Sequence, residues 1–158
     1  MKETIYLVGQ ISIKAEETYN WRKRFTKLTK DDFNIIDPCA TEFNIEIMNE
    51  PLKEKGFESY YKKGVRLLCP KDKTYVKRSS ICVANLNWYD TEKLIIGSFF
   101  ELAWYHDYPE KSVIGILDKK YPYADTFFKY PFIQDVVKVW VKDENEAAEL
   151  VKYYFKGV

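Results

Sequence analysis

The chain has 158 residues, and its 25 lysines and arginines nearly balance 24 aspartates and glutamates, for a formal net charge of +1. That length fits one compact domain over residues 1–158, and so small a charge argues against duplex nucleic acid or an anionic membrane surface as partner. No apolar run approaches the roughly 20 residues of a membrane-spanning helix. The opening Met1–Gly9 is too short and too soon interrupted for a signal peptide, so a cytoplasmic protein is expected.

Thr4 to Val8 is a short β-rich apolar run stopped at Gly9, the pattern of a buried strand and a turn. A helical pattern follows from about Ala15 to Lys30, with Tyr19, Arg22, Phe25 and Leu28 at spacings of three. Residues 33–36 read as a second strand ended by Asp37-Pro38. The stretch 39–65 is polar and irregular, a long insertion or lid. Pro70-Lys71-Asp72 suits a helix start with an acid in the first turn. Residues 80–85 are small and branched, as in a central parallel strand covered on both faces. Gly97-Ser98 opens the next helix, with Glu101 in its first turn. Residues 112–117 and 136–141 read as the fourth and fifth strands, and a closing helix from Glu144 to Phe155 places Ala147, Leu150, Val151 and Tyr154 on one face.

Strands alternating with helices predict a doubly wound α/β fold, a flavodoxin- or Rossmann-like three-layer sandwich around a five-stranded, mainly parallel sheet. Ligands of such sheets sit at the C-terminal strand edge, beside the switch in strand order. Candidate binding positions are therefore Gly9, Gln10, Asp37, Asn85, Asn87, Gly97, Ser98 and the stretch just after Leu117.

Three cysteines, Cys39, Cys69 and Cys82, show no C-x-x-C spacing, and the single histidine, His106, completes no familiar zinc pattern. Neither a disulfide framework nor a metal or other cofactor is expected. The G-x-G-x-x-G fingerprint, a Walker A loop and a G-x-S-x-G elbow are all absent from the sequence. His106, at a helix end, suits the last carbonyls of that helix better than a catalytic triad. Chemistry falls to carboxylates, amides, tyrosines and arginines. Glu101 has two readings: a solvated acid complementing the helix dipole, or a carboxylate at the mouth of an apolar pocket, poised as a nucleophile.

Four segments in order carry a resemblance: Ile5-Tyr6-Leu7-Val8-Gly9-Gln10 with Trp21-Arg22, then Ile35-Ile36-Asp37-Pro38, then Asp72 eight residues before Ser80-Ile81-Cys82-Val83-Ala84-Asn85-Leu86, then Gly97-Ser98-Phe99-Phe100-Glu101-Leu102-Ala103. Over roughly Ile5 to Ile116 the chain resembles the nucleoside 2-deoxyribosyltransferases, including their phage-type and hydrolase relatives. The resemblance implies a Glu101 nucleophile, a Tyr6 that orients it and an Asp72 that reads or protonates the base. Base exchange of a 2′-deoxynucleoside through a glycosyl-glutamate is then the expected activity. Hydrolysis of a nucleoside or its 5′-monophosphate is the alternative, and a non-catalytic nucleotide-binding module the third reading. The partners implied are a nucleoside or nucleotide and a free base, with a homo-oligomer closing each pocket.

Two positions depart from the family pattern: Ile95 stands where an aspartate usually grips the sugar, and Ser80 replaces the inner aspartate of the third-strand motif. Asn87 or Asp90 is the expected substitute for the sugar contacts, the alternative being an ordinary solvated turn. Arg22 either holds a nucleotide or is a surface helix residue. Trp21, Trp88 and Trp104 are candidates to stack a base, Trp104 suiting core or subunit interface better. The aromatics after Tyr121 (Tyr123, Phe127, Phe128, Tyr130 and Phe132) read as an interface.

Overall fold

The computed structural model describes residues 1–41 and 67–158. Its strands are β1 (Thr4–Gly9), β2 (Asn34–Ile36), β3 (Ile81–Asn85), β4 (Ser112–Ile116) and β5 (Val139–Val141). They form one sheet in the order β2-β1-β3-β4-β5, with every neighbouring pair parallel. This is the doubly wound three-layer arrangement expected from the alternating pattern. Strand order reverses between β1 and β3, which run in register from Ile5 beside Ile81 to Gly9 beside Asn85. All five β1 residues from Ile5 to Gly9 and all of β3 are buried. Both faces of these strands are covered, hence their nearly unbroken apolar runs.

Alternation along β1 sends its side chains to two cores. Ile5 and Leu7 pack with Trp21 and Phe25 of α1 (Glu17–Thr29) and with Ala147, Ala148 and Val151 of the last helix. Tyr6 and Val8 face the other layer. There they meet Val76 of α2 (Leu68–Arg78), Leu102 and Tyr105 of α3 (Ile96–His106), Phe127 of α4 (Ala124–Lys129) and Ile133 of α5 (Pro131–Val136). The last helix, α6 (Glu144–Phe155), is capped by Asp143, whose side chain accepts from the Asn145 and Glu146 amides at 3.0 Å each. Among the described residues no helix is long and apolar enough to cross a membrane.

Several element details differ from the sequence reading. Val136 ends α5 instead of opening β5: the Val137 amide still donates to the Ile133 carbonyl at 2.9 Å, and extended pairing begins only at Val139. The helix expected to start at Pro70 starts at Leu68, because proline fits within a first turn, where its missing N–H has no partner to lose. Asp72 therefore sits in the second turn. Likewise α3 begins at Ile96, which puts Glu101 beyond the first turn and weakens its pairing with the helix dipole. Tyr154 is 62% exposed, off the buried face of α6, where Ala148 lies instead. His106 pairs with Asp135 at 2.8 Å on the surface. Of the stretch 39–65, only Cys39 to Thr41 falls within the described residues. Pro38–Ala40 forms a single 3₁₀ turn capped by Asp37, which accepts from the Cys39 amide at 2.8 Å.

Candidate functional site

Where strand order reverses, a cleft of about 460 Å³ opens over the ends of β1 and β3. Gly9 and Gln10 form its floor; Leu68, Cys69, Lys71 and Asp72 of α2 make one wall, and Gly97, Ser98, Phe100, Glu101 and Trp104 of α3 another. Lys93, Leu94 and Ile95 complete it from the loop before α3. Of the sequence candidates, Gly9, Gln10, Asp72, Gly97, Ser98 and Glu101 therefore meet in one place. A larger hollow of about 600 Å³ lies between α3 and the α4–α5 pair, but its lining is almost wholly apolar and contains no carboxylate. Its rim includes the half- to fully exposed Tyr130 and Phe132, whereas Phe127 is buried in the core and Phe128 packs edge-on against Trp140.

Glu101 is 9% exposed, and the hydroxyl of the fully buried Tyr6 donates to its Oε1. Burial pushes the Glu101 carboxyl up to about 8, with the Tyr6 hydrogen bond opposing the rise and the nearby Asp72 charge adding to it. Burial, and then the Glu101 charge, hold the Tyr6 hydroxyl far above the usual tyrosine range, so it remains a donor. Desolvation also raises Asp72, partly offset by Lys71, whose Nζ lies 3.4 Å from Asp72 Oδ1. That Oδ1 is buried and, apart from the long approach of Lys71, has no hydrogen-bond partner. Two carboxyl groups whose charged forms are both disfavoured thus face one cleft.

Arg22 is neither a surface residue nor part of the cleft lining. It is fully buried, and its guanidinium donates to the carbonyls of Gly9 at 2.8 Å, Gln10 at 3.2 Å and Thr18, with Nε 3.6 Å from Asp37 Oδ1. It fixes the end of β1 from behind, and Asp37 serves as its counter-ion. Trp21 is also fully buried, in the core on the α1 side, and does not line the cleft. A Cβ on Gly9 would lie 2.9 Å from the Asn85 carbonyl oxygen, so glycine is what lets β1 and β3 close up here.

The turn after β3 is built on itself. Asn85 Oδ1 accepts from the Asn87 amide at 3.0 Å, Asn87 Oδ1 accepts from the Asp118 amide at 2.8 Å, and both side-chain amides donate to the Tyr89 hydroxyl. Asp90 accepts from the Ser12 hydroxyl and from the Glu92 amide. Gln10 Nε2 donates to the carbonyls of Asp90 and Lys93, and Gln10 Oε1 accepts from the Asp90 amide. Asn85, Asn87 and Asp90 therefore tie loops together and line no part of the cleft, contrary to the expectation that Asn87 or Asp90 grips a sugar. Trp88 stacks on Tyr123 and bonds the same loop, also away from the cleft. Ser80 bonds Glu3 at the opposite end of β3.

Lys71, Lys93 and Phe100 are cleft residues that the sequence reading did not place there, and Trp104, a base-stacking candidate read as suiting core or subunit interface better, lines the cleft as well. The helical period held the signal for two of them: positions 97, 100, 101 and 104 fall on one face of α3. Among the described residues no group of three His, Cys, Asp or Glu side chains is arranged to hold a metal ion. No protein-family model and no curated protein matches the chain.

Proposed function

We propose that the chain transfers the 2-deoxyribosyl group of a nucleoside between bases, with Glu101 as nucleophile. The observation that carries this reading is a carboxyl buried at the switch-point cleft, hydrogen-bonded by Tyr6 and sharing the cleft with a second carboxyl, Asp72. Loss of a base from a deoxyribose develops oxocarbenium character at the anomeric carbon, which an adjacent carboxylate stabilises and then traps. As the C1′–N bond breaks, its electron pair leaves with the base, and a proton on Asp72 passes to the departing nitrogen. The Glu101 oxygen forms the new C1′–O bond. An incoming base reverses each step: its nitrogen attacks C1′, the C1′–O bond breaks, and its proton returns to Asp72. Phe100 and Trp104 offer flat apolar surface on the same wall for the base.

The test is to mix a deoxynucleoside with a different free base and separate the products by chromatography. The swapped nucleoside is expected, and Glu101→Ala should abolish it. Free sugar with no swapped product would replace transfer by hydrolysis, while an undiminished exchange rate in Glu101→Ala would overturn the mechanism.

A further inference from the structure

A charge removed from water is unfavourable unless it is closely paired, and Arg22 is not. It is fully buried, and its short contacts all go to neutral carbonyls, those of Gly9, Gln10 and Thr18. Its Nε is buried with no hydrogen-bond partner. Asp37, the one carboxylate paired with it among the described residues, stands 3.6 Å away with 18% of its side chain exposed. The same Asp37 oxygen already accepts from the Cys39 amide. Carbonyls orient a guanidinium without cancelling its charge. The cation also lies just beneath the cleft. A Cβ on Gly9, a floor residue, would come within 3.3 Å of Arg22 Nη2, so only the backbone of β1 separates the two.

Six other ionisable side chains face Glu101: Tyr6 on β1, Cys82 on β3, Tyr105 on α3 itself, Lys71 and Asp72 on α2, and Cys39 after β2. Burial holds the Tyr6 and Tyr105 hydroxyls and the Cys82 thiol far above their usual ranges and pushes the Cys39 thiol up to about 12, so these four are neutral near pH 7. Lys71 is engaged with Asp72. Arg22 is therefore the cation left to balance a charge on Glu101, and it lowers the proton affinity of that carboxyl. We propose that Arg22 is a positioning residue for the nucleophile: from behind the cleft floor, with Asp37 masking it only in part, the guanidinium favours a carboxylate on Glu101 over one on Asp72, the arrangement in which C1′ is attacked. This rests on the Glu101 reading above.

The experiment records pH profiles of kcat/KM for base exchange in the wild type, Arg22→Met and Asp37→Asn, the asparagine keeping an oxygen for the Cys39 amide. A charge effect moves the two variants in opposite directions. Without the guanidinium, the falling limb should rise by about one pH unit and the plateau should drop about tenfold. With Asp37 neutralised the cation is unmasked. The limb should then move down by about half a unit, less because Asp37 is partly solvated, and the plateau should hold or rise. A merely structural Arg22–Asp37 pair would lower the plateau in both variants and leave the limb in place. That result, or limbs that move the same way, overturns the proposal. If Arg22→Met does not fold, Asp37→Asn decides alone: a limb that moves down supports the proposal, and one that stays or rises overturns it. If no deoxynucleoside reacts in the wild type, the reaction assigned to Glu101 fails on its own. The field of Arg22 is then read from the titration of the Glu101 carboxyl, followed by carbon NMR of glutamate-labelled protein. A lower midpoint in Asp37→Asn supports it, and an unmoved or higher one overturns it.

Discussion

Tyr6, in the middle of β1, donates its hydroxyl to Glu101 from 95 positions away in the chain, because the β1–β3 switch brings α3 across the end of the strand. This hydrogen bond lowers the proton affinity that burial gives the carboxyl. Tyr6→Phe removes it, so the Glu101 carboxyl should titrate above about 8 and ionise in a smaller fraction of molecules. A hydrogen bond to a charged group is worth about 1.5–3 kcal/mol, which predicts a ~10–100-fold loss of kcat/KM. A pH–rate profile whose upper limb stays in place would remove Tyr6 from the mechanism.

Glu101 must be ionised and Asp72 protonated in the proposed reaction, whereas Glu101 holds its proton up to about pH 8. Asp72 starts from an ordinary value of 3.8 and is raised by desolvation. The pair thus shares one proton, and its reactive arrangement has that proton on Asp72. The shared-proton form dominates between the two titrations, so kcat/KM should rise with pH through the titration of Asp72 and fall above about 8. An amide at position 72 cannot titrate. Asp72→Asn should therefore lose roughly 10²–10⁴-fold in rate and show a profile that rises through the Glu101 titration instead of falling. The same falling limb in Asp72→Asn would exclude the shared proton.

The buried carboxyl also ties stability to pH. In the unfolded chain Glu101 titrates near 4.5, and in the folded protein near 8. Below the lower value both states carry the proton, and stability is independent of this group. Between the two, the unfolded chain alone releases its proton, so stability falls with rising pH by up to about 1.4 kcal/mol per unit. Above the upper value the loss is complete. Glu101→Gln keeps the shape of the neutral acid and cannot ionise, so it should raise the urea midpoint at pH 8 while changing it little at pH 4.5. Parallel curves for wild type and variant across that range would show that the carboxyl is hydrated in solution.

The sheet was legible because its central strands are buried on both faces: Ile5 to Val8 and Ile81 to Ala84 leave little choice but parallel strands. The start of β5 was not, because Val136 and Val137 continue an apolar run through a helix end that only the backbone hydrogen bonds reveal. Glu101 and Asp72 were singled out through the resemblance, and both line the one cleft. Arg22 misled for a physical reason. An arginine at helical spacing is usually solvated, and the carbonyls of Gly9, Gln10 and Thr18 that hold it become close only once β1 and α1 have packed. Asn87 and Asp90 misled in the opposite sense, as polar groups near the ligand edge that are consumed by local turns.

Gly9 and Gly97 both line the cleft, yet they answer to different constraints. A methyl group on Gly9 would meet the Asn85 carbonyl at 2.9 Å, Trp21 at 3.2 Å and the Arg22 guanidinium at 3.3 Å. The first is backbone of the neighbouring strand and the other two belong to fully buried side chains, so none can yield cheaply. Gly9→Ala should therefore destabilise by about 1–3 kcal/mol. For a chain of this size that lowers Tm by about 3–10 °C. Nothing lies within 4 Å of a methyl group on Gly97, whose helical backbone alanine adopts readily. Gly97→Ala should leave Tm unchanged or raise it, by up to about 1 kcal/mol of helix propensity. Scanning calorimetry of the two variants separates the cases. An unaltered Tm for Gly9→Ala would mean that β1 and β3 stand farther apart at the switch point than the Gly9–Asn85 contact requires.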